Sequence, residues 1–139
     1  MTVKIPSDSL QYLESLFADC GRIELRRITP DRAQNRSLWF EEPLPLWERA
    51  SKWAGDGISL FTSLSEPIDN YPRNRGLKDQ GVKRYRRLLF DFDPLREKGQ
   101  NSTDQELAAA VAMRDDFVDR MSDLNWPSPL LATSGNGAH

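Results

Sequence analysis

Thr103 and Glu106 stand three residues apart at the head of an apolar stripe, and no other feature of the chain constrains its folding as much. A hydroxyl at the cap position and a carboxylate three residues on satisfy each other's backbone N–H groups, so the spacing predicts a helix that starts there. Leu107, Ala110, Val111, Phe117, Val118, Met121 and Leu124 then share one face, wide enough to cover a sheet. Short apolar segments flank this helix, Leu88-Leu89-Phe90-Asp91-Phe92-Asp93 before it and Pro129 to Thr133 after it. The first reads as a strand and the second as a short buried strand. Strand, helix, strand is a crossover unit, which brings Asp93 and Ser134 toward one region if the two strands run parallel.

Side chains alternate across a strand, so Leu89, Asp91 and Asp93 are expected on one face and Leu88, Phe90 and Phe92 toward a core. The two aspartate Cα atoms would lie about 6–7 Å apart, and like charges at that spacing repel by roughly 2–3 kcal/mol at an effective dielectric near 20. A divalent cation reverses that sign, and hard oxygen ligands favour Mg2+ or Mn2+ over zinc. The competing reading is a strand that merely ends at Asp93-Pro94, both ordinary turn residues.

At the other end of the unit, Ser134-Gly135-Asn136-Gly137 offers a hydroxyl, an amide and a flexible backbone whose N–H groups can face an anion. His139, the only histidine, follows and could donate to a phosphate oxygen. Taken alone, the same residues read as a Gly-Asn-Gly hairpin turn with an exposed histidine.

A basic run leads into the acidic segment. Arg73, Arg75, Lys78, Lys83, Arg84, Arg86 and Arg87 are opposed there only by Asp79. As a group they could steer a nucleic-acid backbone or a triphosphate, while each one singly reads as a solvated surface residue. The formal net charge of −2 gives no global basic footprint.

Upstream, Ser7 or Ser9 can cap a helix through about Ala18, with Leu10, Leu13 and Phe17 on one face and Gly21 beyond its end. Ile23 to Ile28 reads as a strand in which Ile23, Leu25 and Arg27 alternate with Glu24 and Arg26, and Thr29 to Asn35 as a loop. Leu38-Trp39-Phe40 is a short apolar element before Pro43 and Pro45. Leu46, Trp47, Ala50, Trp53 and Ala54 repeat at helical spacing, with the tryptophans expected in the core. Gly57 opens a strand through Leu64, and 65–81 reads as a long polar loop of the kind that contacts substrate. With 139 residues, 38% hydrophobic and 29% charged, the chain is one domain or part of one. It has no membrane-length apolar run and no signal-peptide pattern, and its one cysteine, Cys20, suits a reducing compartment, so the expected location is cytoplasmic.

Arg86-Arg87-Leu88-Leu89-Phe90-Asp91-Phe92-Asp93-Pro94-Leu95-Arg96, Ser102-Thr103-Asp104-Gln105-Glu106, Asn125-Trp126-Pro127-Ser128-Pro129 and Ser134-Gly135-Asn136-Gly137-Ala138-His139 together resemble the archaeo-eukaryotic primase superfamily. They are most similar to the primase-polymerase domain of plasmid and phage replication proteins, from about Gly57 onward. The resemblance implies an α+β fold in which an N-terminal αβ portion with the basic loop (1–84) packs on the first part of an RRM-like catalytic sheet (85–139). It implies template-directed primer synthesis and extension, with Asp91 and Asp93 as catalytic metal ligands for Mg2+ or Mn2+. Ser134 and His139 would contact the phosphates of the incoming nucleoside triphosphate, with Gly135 and Arg96 as further candidates. A single-stranded DNA template is the implied partner, and in similar proteins a helicase region lies downstream. The family's third acidic motif would fall after His139, so these residues alone are expected to be catalytically silent. Where relatives carry Asn-Pro before the basic segment, this chain has Ser65-Glu66-Pro67.

Two other readings fit parts of the pattern. Haloacid-dehalogenase-type phosphatases also end a strand in Asp-x-Asp and a later one in Thr or Ser, as in Leu131-Ala132-Thr133-Ser134, but carry the acidic motif near the N-terminus. A non-catalytic RRM-like nucleic-acid-binding module would show aromatics on its sheet face, for which Phe92 is the one poor candidate.

Overall fold

In the computed structural model, residues 8–97, 99–134 and 136–139 are described. The chain is α+β and divides into two units, 1–87 and 88–139, where the sequence reading draws the line after Arg84.

The first unit begins with α1 (Asp8–Phe17), and Ser7, one of its two expected caps, lies outside the described residues. Strand β1 (Ile23–Ile28) sits between β2 (Arg36–Phe40) and β3 (Ser59–Thr62), antiparallel to both, and α2 (Pro43–Trp53) connects the two outer strands. Pro43 opens α2, where its missing N–H and fixed φ cost nothing. Leu13 and Leu16 of α1, Ile23 and Leu25 of β1, and Leu46 and Ala50 of α2 form the core, with Cys20 sealed among them. Burying a leucine such as Leu16 completely contributes about 1.5–3 kcal/mol. Trp47 and Trp53 pack against this cluster, as their helical spacing predicts. The strand expected from Gly57 to Leu64 is shorter, because Gly57 takes φ 71° and turns the chain instead.

Residues 65–81 are tied down. Glu66–Pro67 forms β4 against β5 (Val82–Arg84), with a single 3₁₀ turn at Asp79–Gly81 leading into β5. Between them, Trp39 Nε1 donates to the Arg75 carbonyl at 2.8 Å and Tyr71 donates to the Gly76 carbonyl at 2.7 Å. Glu24, only 3% exposed on the β1 face away from the helices, accepts from the Leu77 N–H at 2.8 Å, and Arg26 Nη2 donates to the Leu77 carbonyl at 3.1 Å. Gly76 is where backbone must pass close over this pair, since a Cβ there would collide with the Arg26 guanidinium.

In the second unit α3 (Asp104–Asp123) begins at the expected capping box, with Thr103 N–H donating to Glu106 Oε2 at 2.8 Å and Glu106 N–H to Thr103 Oγ1 at 3.2 Å. Asn125 at φ 60° closes the helix, and the Trp126 N–H reaches back to the Met121 carbonyl at 3.0 Å, a Schellman-type end. Ala110 is the buried centre of the apolar stripe, whereas Leu124 caps the C-terminus and is exposed. No helix among the described residues is long and apolar enough to cross a membrane.

Candidate functional site

Residues 88–93 do not form the strand their composition suggests. One antiparallel bridge joins Phe92 to Ala138, with N–H to carbonyl distances of 2.9 and 3.1 Å, and the rest of the segment is extended without a ladder. Alternation still holds where it matters: the Phe90 and Phe92 rings lie 4.7 and 5.5 Å from Phe117 of α3, while Asp91 and Asp93 are exposed. Leu88, expected toward the core, is exposed as well.

The apolar segment after α3 also departs from expectation. Leu130 and Leu131 are about half exposed, and Ala132 to Ser134 pair with the chain's own return, through Ala132 with His139 and Ser134 with Gly137. Ser134 and Gly137 thus pair as the hairpin reading expects. The return strand, with Ala138 fully buried, is bridged by Thr133 on one side and Phe92 on the other. Being antiparallel to both, it leaves 91–93 and 132–134 parallel, with one strand inserted between them. Arg114 of α3 fixes the hairpin by donating to the Ala132 carbonyl at 3.2 Å.

This hairpin brings the two motifs together. His139 Nδ1 lies 2.9 Å from Asp91 Oδ1, close enough for the carboxylate to orient the imidazole. Gly137 runs so close to Asp93 that a Cβ on it would overlap the Asp93 carboxylate, and it would stand 3.1 Å from the Phe92 carbonyl. Absence of a side chain, not a left-handed backbone, is what this glycine supplies. Arg96 lies 3.8 Å from Asp93 Oδ1 and donates to the carbonyls of Gln100 at 3.0 Å and Asn136 at 3.4 Å, and to Ser102 Oγ at 3.3 Å. It holds the turn in place with most of its donors already used.

Ser134 Oγ accepts from the N–H groups of Asn136 and Gly137 at 3.3 and 3.0 Å. The two donors that could face an anion thus converge on one oxygen, which occupies the position an anionic oxygen would take. Gly135 lies outside the described residues. Ser102, to which the sequence gives no site role, and Asn136, whose amide it offers to an anion, instead clamp the turn to the head of α3: Ser102 N–H donates to Asn136 Oδ1 at 3.0 Å and Ser102 Oγ to the Asn136 carbonyl at 2.6 Å. Their signal was slight, a serine one position before a helix cap and an asparagine between two glycines.

The donor set suits a hard cation in type, being two solvent-facing carboxylates whose Oδ2 atoms take no hydrogen bond among the described residues. No three of the histidine, cysteine and acidic residues described come together as a metal-holding group.

The basic run separates into two sets within the first unit. Arg73 pairs with Glu41, Lys83 with Asp69 at 2.8 Å, Arg86 with Glu66 at 2.7 Å and Arg87 with Asp19 at 2.6 Å. Arg87 also donates to the Ser15 carbonyl at 2.9 Å, so it closes the C-terminal end of α1 and faces the Cys20 sulfur. Arg75, Lys78 and Arg84 are exposed and have no acidic partner among the described residues. Sequence reasoning saw the cations but not their partners, which stand far away in the chain. No protein-family model, curated protein or solved structure matches the chain.

Proposed function

We propose that residues 88–139 carry part of a metal-dependent nucleotidyl-transfer site of primase-polymerase type, on what would be the first part of an RRM-like sheet. The contact of His139 with Asp91 supports this reading most strongly, because it joins the acidic and glycine-rich motifs at hydrogen-bond distance across an intervening helix. Asp91 and Asp93 hold Mg2+ or Mn2+ through their outward oxygens. When bound, the cations neutralise the triphosphate and ease deprotonation of the attacking 3′-hydroxyl. His139, oriented by Asp91, presents Nε2 toward the phosphates of the incoming nucleotide, and the Ser134 turn lies beside it. Arg96, Ser102 and Asn136 keep that turn against Asp93. A single-stranded template and nucleoside triphosphates are the corresponding partners.

Manganese binding followed by electron paramagnetic resonance, alongside equilibrium binding of a deoxynucleoside triphosphate, tests the assignment. Asp91→Asn with Asp93→Asn should abolish the manganese signal change, and His139→Ala should weaken nucleotide binding with the helix content intact. Wild-type manganese affinity in the double variant would overturn the metal role. Unchanged nucleotide affinity in His139→Ala would overturn the phosphate role.

A further inference from the structure

On the β1 face away from the core, the first unit has an open cleft of about 420 Å³ between β3 and the strap that ends in β5. Phe61 projects from β3 directly opposite Arg26 in the strand register and is 53% exposed. Tyr85, immediately after β5, lines the same cleft and is 70% exposed. Among the described residues neither ring stacks on another aromatic side chain or a cation, unlike Trp39 and Trp53 of this unit, which do. Large aromatic faces left open beside a cleft lose apolar burial that the core could have supplied, unless an occupant covers them.

The charge on the strap narrows the choice of occupant. From Arg75 to Tyr85, Asp79 is the only acid, while Arg75, Lys78 and Arg84 are cations without acidic partners among the described residues. Lys78 and Asp79 both line the cleft, and the Arg26 guanidinium, 40% exposed, contributes at its floor, where Glu24 balances it, so the positive excess comes from Arg75 and Arg84 on the strap beside the lining. Aromatic faces flanked by unpaired cations suit a polyanion with flat, stackable groups.

We propose that this cleft binds single-stranded nucleic acid, with bases stacking on Phe61 and Tyr85 and the backbone running past Lys78 and Arg84. Within the basic run, strand binding is thereby assigned to Lys78 and Arg84, not to the four cations already held by Glu41, Asp69, Glu66 and Asp19. Arg75, the third unpaired cation, gets no contact assigned. The cleft lies wholly within the first unit and needs no metal, so its failure and that of the nucleotidyl-transfer reading are separable.

Fluorescence anisotropy of the 139-residue chain with labelled oligothymidylate of about twelve nucleotides, in chelator, is the test. Phe61→Leu and Tyr85→Ala should each weaken binding about tenfold, the size of one lost base–aromatic stack, yet leave binding of an abasic strand of the same length unchanged. Phe61→Leu keeps an apolar side chain on β3, so folding is preserved, and circular dichroism verifies it. Lys78→Gln with Arg84→Gln should weaken both strands and flatten the salt dependence by a slope of about 1.4, two phosphate contacts at about 0.7 each. Aromatic variants that bind like the wild type, duplex DNA bound as tightly as the single strand, or thymidine monophosphate bound as tightly as the oligomer would each overturn the proposal.

Discussion

Replacing Glu24 with alanine should destabilise the first unit by about 3 kcal/mol, a sum set by what the carboxylate holds. Its oxygens accept from Arg26 Nε at 2.8 Å, Arg26 Nη2 at 3.1 Å, Ser37 Oγ at 2.6 Å and the Leu77 N–H at 2.8 Å. Truncation strands the Leu77 N–H, which costs about 1–3 kcal/mol, and releases the Ser37 hydroxyl for about 1 more. Loss of the ion pair adds about 1 kcal/mol or less, because the Arg26 side chain is 40% exposed and can turn to water. Arg26→Ala should cost more, about 3–5 kcal/mol, since it leaves a carboxylate only 3% exposed without its cation. For a unit of this size, 3 kcal/mol lowers the melting midpoint by roughly 12–24 °C. Three tryptophans, Trp39, Trp47 and Trp53, belong to the first unit and only Trp126 to the second, so urea unfolding read by fluorescence in a Trp126→Phe background isolates the effect. A loss below 1 kcal/mol for Glu24→Ala, or a cheaper Arg26→Ala, would refute the view that this pair pins the strap.

Gly137→Ala should displace Asp93 and weaken manganese binding severalfold while α3 keeps its helical signal; manganese titration with circular dichroism checks it, and unchanged affinity would mean that the close approach is dispensable. Burial pushes the Tyr12 phenol and the Cys20 thiol above their ordinary values of 10.0 and 9.0. The fold therefore favours both protonated forms. Their contribution is full below the ordinary values and drains away as pH rises through the raised ones, so the urea midpoint should fall from about pH 9 upward and Tyr12→Phe with Cys20→Ala should flatten that fall. An identical decline in the double variant would show that other groups govern it.

Local chemistry determined the elements that need no distant partner. The Thr103–Glu106 box starts α3 because both hydrogen bonds lie within one turn, and Pro43 with the Leu46/Ala50 spacing suffices for α2. Strand β1 was legible because Ile23 and Leu25 alternate with Glu24 and Arg26, which sets the core face at its start. Tertiary structure decided the rest. Residues 88–93 look like a strand, but whether an extended segment becomes a ladder depends on what pairs with it, and here only Phe92 does. Glu24 looks like a solvated charge, and only the return of the 71–78 strap over β1 buries it. Seven cations look alike in sequence, while four are neutralised by acids at positions 19, 41, 66 and 69. The meeting of His139 with Asp91 also depends on a hairpin folding back beside the acidic segment, so the sequence by itself named both residues but could not place one on the other.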